Sequence, residues 1–199
     1  MNADKKEYSS EQMPLAPEFY SFATGKPFDR CTTCNTYLLL PGTQYMIEKA
    51  IIRYPNTNIT DVAFEYAMCL PCGEKMRKSL SAESLANFEN YFAAHADFAS
   101  RQKLMAEPAK TTANDWLANC LLTQNPIEEE TEYQIIAHCN GTNMVVGVAP
   151  YMISSRAADE LSELLSAQTK EILDDFVDEH FGLPPELKAL IKEKNLLLI

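Results

Sequence analysis

The chain has 199 residues, 46% hydrophobic and 23% charged, a balance that supplies a folded core and excludes global disorder. Its net charge of −11 is unevenly spread: residues 127–199 carry 5 Lys/Arg against 14 Asp/Glu, an acidic half that repels a phosphate backbone and disfavours nucleic acid as a partner. No run reaches the roughly 18–20 apolar residues of a membrane helix, and Met1–Glu7 holds no apolar signal core, so no membrane partner is expected.

Residues 1–28 form a polar segment marked by Pro14, Pro17 and Pro27, with aromatic spots at Phe19, Tyr20 and Phe22. A first cysteine pair, Cys31-Thr32-Thr33-Cys34, precedes the apolar run Thr36–Leu40, which ends at the turn signal Pro41-Gly42. Tyr45–Tyr54 and Ile59–Met68 read as the two strands of an antiparallel hairpin reversed at Pro55–Asn58, with Val62, Phe64 and Tyr66 on one face. A second pair, Cys69-Leu70-Pro71-Cys72, leads into the helix formers of Glu74–Ser79. Ser81 is placed to cap a longer helix from about Ala82 to Met105, whose stripe is Leu85, Phe88, Phe92, His95 and Phe98; Pro108 stops it.

Ala106–Thr112 reads as a boundary. Beyond it, Thr112-Ala113-Asn114-Asp115 resembles a capping box before a short buried helix over Trp116–Leu122, ended by Asn125-Pro126. Glu128–Glu130 is an acidic loop, and Tyr133–Cys139 and Met144–Ala149 form a second hairpin around the reversal signal Asn140-Gly141. Ser154 or Ser155 caps the longest helix, about Arg156–Phe181, with Gly182 at its stop. Pro184-Pro185 opens a short helix over about Glu186–Lys194, and the chain ends in the apolar run Leu196–Ile199.

Cysteines two residues apart can aim both sulfurs at one centre, and two such pairs supply the four soft ligands of a tetrahedral Zn²⁺: Cys31, Cys34, Cys69 and Cys72. Six cysteines, four of them paired this way, fit metal binding in a reducing compartment better than a disulfide framework, so the expected location is cytoplasmic. The order knuckle, hairpin, second pair, helix resembles the treble-clef zinc finger over about residues 29–80. That resemblance implies one structural zinc held by Cys31 and Cys34 from the knuckle and by Cys69 and Cys72 from the helix start. With four protein ligands no position is left for water, which makes the ion structural rather than catalytic. Three other readings stay open: a zinc ribbon or rubredoxin-like site, a thioredoxin-type dithiol at Cys69/Cys72, and four unrelated buried cysteines.

The expected fold class is α+β, a zinc module followed by helices and a second hairpin with a long amphipathic helix. The expected divisions are a polar segment (1–28), a zinc-binding module with its helix (29–105) and an acidic α+β region (106–199). Other chemistry-bearing residues read as structural: Cys120 and His95 as core or boundary, His138-Cys139 on opposite faces of a strand, His180 isolated, and Asp174, Asp175, Asp178 and Glu179 as a solvated face. No catalytic set stands out, and the functional expectation is a zinc-structured interaction or adaptor protein with a protein partner. The alternatives are a dithiol oxidoreductase and a nucleic-acid-binding finger using Lys75, Arg77 and Lys78.

Overall fold

A computed structural model describes residues 12–181 apart from 56, 58, 108 and 109. The helix expected over Glu186–Lys194, the apolar chain end and the Pro108 stop lie outside the described residues. The fold is mixed α+β, with six described helices around one antiparallel sheet.

The sheet grows from the first hairpin. Strands β2 (Gln44–Arg53) and β3 (Thr60–Cys69) pair as the sequence predicts, from Tyr45 opposite Cys69 to Arg53 opposite Thr60. Period-two alternation turns Phe64 and Tyr66 to one face, where their rings meet Phe176 and Phe181; Tyr66 and Phe176 lie 5.7 Å apart, edge to face. Val62 departs from that pattern. A register shift between Ala50 and Ile51 sets Val62 opposite Ile51, and Val62 lines a cleft with Lys49 and Ile51 on the other face.

Strand β4 (Glu132–Asn140) lies along the other edge of β2, with Gln44 opposite Asn140 and Ile52 opposite Glu132. The second hairpin forms at Asn140-Gly141, but β5 is only Asn143–Val145. Gly141 takes φ 58°, and a Cβ there would stand 3.0 Å from the Leu40 carbonyl oxygen, so the turn requires glycine. The chain then leaves the sheet and returns as β6 (Tyr151–Ser154) on the remaining length of β4. Strand β1 (Gln12–Pro14) pairs with β5.

Three expected helices differ from the sequence reading, two of them because a capping side chain divides the run. The Ala82–Met105 run divides into α2 (Ala82–His95) and α3 (Phe98–Ala106), because the Asp97 side chain accepts from the Ser100 amide and starts a new helix. The Arg156–Phe181 run divides into α5 (Ser155–Glu163) and α6 (Ala167–Phe181) at Ser166, whose hydroxyl accepts from the Thr169 amide. The expected Trp116–Leu122 helix is instead α4 (Ala113–Leu117), started by the Thr112/Asp115 capping box; Cys120 and Leu121 then run alongside β6 through the Leu121 amide to the Met152 carbonyl.

Both faces of the sheet are covered. Helix α6 packs on Phe64 and Tyr66, whereas the segment Leu15–Phe22 straps the other face. Glu65 anchors that strap: its carboxylate accepts from the Phe22 amide at 2.8 Å and the Ser21 hydroxyl at 2.9 Å. It also pairs with the buried Lys49 ammonium at 3.3 Å, which itself donates to the Tyr20 carbonyl.

Candidate metal centre

Residues 30–37 fold back on themselves: Arg30 and Tyr37 form a β-bridge, the Cys31 amide donates to the Thr36 carbonyl, and the Asn35 amide donates to the Cys31 carbonyl. Asn35 takes φ 59°, a left-handed turn that asparagine tolerates. This knuckle carries Cys31, which is buried, and Cys34, which is exposed. It docks on the hairpin through the Thr32 amide, which donates to the Ala67 carbonyl at 2.8 Å.

The other pair comes from the junction of β3 with α1 (Leu70–Ser79). Cys69 ends the strand and occupies the helix N-cap in extended conformation, Pro71 sits in the first turn where a missing amide costs nothing, and Cys72 follows in that turn. Helix formers carry α1 to its stop at Leu80.

The four sulfurs converge. All lie within 4.8 Å of one another, and Cys34 Sγ is 3.6 Å from Cys69 Sγ. A tetrahedral four-thiolate zinc site with Zn–S near 2.3 Å has S···S edges of about 3.8 Å, so the cluster fits a metal ion of that kind. The Cys69 amide donates to Cys31 Sγ at 3.4 Å, a contact suited to a thiolate. The Thr36 hydroxyl, 3.2 Å from Cys34 Sγ, and the Thr36 amide hold the Cys34 thiol down to about 6. Burial pushes the Cys69 and Cys72 thiols up. Four thiolates packed this tightly repel one another strongly, and a divalent cation is what lets all of them ionise. Thr36, two residues beyond the pair, escaped the sequence reading; its signal was a hydroxyl residue within turn distance of a ligand.

Among the described residues no other group of three or more His, Cys, Asp or Glu side chains converges this way. Cys120 and Cys139 are buried core residues, the latter opposite Tyr45. His138 is half-buried with an unpartnered Nε2, and burial pushes its pKa down. His95 is exposed at the end of α2, stacked on Tyr91, rather than at the core. Of the expected basic strip on α1, Arg77 is held by Glu89 at 2.5 Å on the surface. No helix among the described residues is long and apolar enough to cross a membrane. Comparison with known protein families, curated proteins and solved structures finds no match for this chain.

Proposed function

We propose that this chain is a structural-zinc protein whose treble-clef-like module holds surfaces for protein partners. The observation that carries the reading is the convergence of two CxxC pairs, one on a turn and one on a strand-to-helix junction, into a single four-sulfur cluster. Knuckle, hairpin and helix follow one another as in a treble clef, and four protein ligands close the ion to substrate. The ion clamps the knuckle to the hairpin and to α1, a helix with no buried residue of its own to hold it.

Metal analysis of the purified protein with titration of released thiols tests the reading. One zinc per chain released together with four thiols supports it, and metal-free protein with disulfides overturns it. The interaction role is tested separately, by whether the zinc-loaded protein binds peptides at all.

The dithiol reading has less behind it. A nucleophilic CxxC needs its helix-capping thiol lowered, whereas burial pushes Cys69 up, and its sulfur lies near Cys34 of the other pair. A nucleic-acid finger would show affinity that falls steeply with salt, against a net charge of −11.

A further inference from the structure

The face of the sheet that carries Lys49 is only partly strapped by the N-terminal segment. Beyond the strap it opens into a cleft of about 550 Å³, within the range of ligand sites. The floor is apolar, from Ile51, Val62 and Ile135. One wall is the Pro17–Phe22 stretch, the other the end of α4 with Ile127 and Glu128.

The charges around this cleft are asymmetric in availability. Lys49 is neutralised by Glu65, and Arg53 is turned onto the Ile127 carbonyl at 3.0 Å and over the Tyr133 ring at 5.4 Å. Three carboxylates line the same cleft: Glu18, Asp61 and Glu128. Glu18 is the telling one. Its Oε2 is shut off from solvent with no hydrogen-bond donor, an arrangement that costs free energy unless something supplies a donor. The same side chain lines the cleft, so its carboxylate lies within reach of a cation docked there. At the rim, Phe22 is 58% exposed and Ile59, on the nearby hairpin end, 61%.

We propose that this cleft docks a basic segment of a partner protein, with a Lys or Arg side chain donating to Glu18 and a neighbouring apolar side chain resting on Ile51, Val62 and Ile135. Charge complementarity selects the cation, because the carboxylates of the cleft outnumber its one cation without a carboxylate partner. The exposed Phe22 and Ile59 give a peptide, rather than a small free amine, further apolar surface to cover. The proposal rests on reading the chain as a metal-structured interaction protein and names the partner chemistry of that reading.

The test is methyl NMR on the zinc-loaded protein with blocked hexapeptide pools in which one position is fixed as Lys, Arg, Gln or Glu. Pools fixed as Lys or Arg are expected to shift the Ile51, Val62 and Ile135 methyls and to bind at least tenfold tighter than the Gln pools. Glu18→Gln is expected to erase that preference, and Asp61→Asn to reduce it, with zinc content and melting temperature unchanged. Equal binding of Gln pools, an unaffected Glu18→Gln variant, or phenethylammonium alone binding as tightly as the peptides overturns the proposal. Basic pools that instead shift residues around Leu70 and Met76 overturn this cleft but leave the interaction role standing. Protein that purifies metal-free with its cysteines in disulfides, yet still prefers the basic pools, would overturn the metal reading and leave the cleft.

Discussion

Glu48 sits mid-strand on β2 with 1% of its surface exposed; Tyr66 donates to its Oε2 at 2.5 Å, and its Oε1 has no partner. Burial is the dominant influence and pushes this carboxyl up to about 8, with the Tyr66 bond opposing. The unfolded chain releases this proton near 4.5, so between pH 4.5 and about 8 the folded state keeps a proton that the unfolded state gives up. Stability therefore falls as pH rises through that window and levels off above it. Glu48→Gln, a mimic of the neutral acid, is expected to match the parent near pH 4.5 and to exceed it by roughly 3–5 kcal/mol above pH 8. Urea unfolding at several pH values checks this; parallel curves for the two proteins would refute it. Alternation along one strand puts Glu48 and Lys49 on opposite faces and so leads one to expect at least one of them in water. The sheet is covered on both sides, and coverage is a property of distant segments that a strand's own sequence does not carry. The cysteines were legible for the opposite reason: thiolate chemistry and the CxxC spacing specify a ligand pair locally, whatever the rest of the chain does.

At the scale of elements, the strap across the sheet depends on Glu65. Removing its carboxylate leaves Lys49 charged and buried and the Phe22 amide without its acceptor, a loss of about 3–5 kcal/mol for Glu65→Ala. Trypsin should then cut after Arg30 faster than in the parent. The double change Lys49→Met, Glu65→Leu should recover much of the stability, since a well-packed apolar pair replaces the ion pair. Unchanged trypsin cleavage in Glu65→Ala would mean that Leu15 and Phe19 alone hold the strap. The hairpins were readable because Pro55 and Asn140-Gly141 mark reversals and β-rich runs flank them. The two long helices were misread because an apolar stripe continues across Asp97 and Ser166 as though nothing had happened. What interrupts the helix is a side-chain oxygen competing for amides, an effect the stripe does not register. Ser166 also joins Ser81, Ser84 and Thr169 in a hydroxyl cluster where the starts of α2 and α6 face each other, with Ser81 and Ser166 oxygens 2.9 Å apart. Only the fold makes that meeting visible.

On the scale of the molecule, the hairpin that ends at Cys69 forms one end of the sheet: β3 is the edge strand, and β2 lies between β3 and β4. The clamp therefore bears on strands that come from residues 132–154 as well as on its own module. Trp116 is the one tryptophan and lies fully buried in that second half, under Arg101, so it reports on a region well removed in sequence from the cysteines. Chelation of the metal, or Cys31→Ser, is expected to lower the melting temperature read by Trp116 fluorescence together with that read by backbone circular dichroism. A Trp116 transition that stays put while the backbone signal splits would mean that the regions 29–105 and 106–199 unfold separately. Nothing in the sequence announces the β2–β4 pairing, because two apolar strands far apart carry no local sign of partnership.

That pairing sets an order in time. Partners on β2 and β4 are 80 to 96 residues apart in the chain, whereas all four cysteines fall between residues 31 and 72. During synthesis at roughly 5–20 residues per second, the metal-binding stretch leaves the ribosome several seconds before β4 does. Ion capture can thus come first, and the captured hairpin waits with one edge of β2 open to any passing strand. The interval before β4 arrives is the period in which this chain is most exposed to mispairing, and metal supply early in translation would govern how well the template is formed when its true partner emerges.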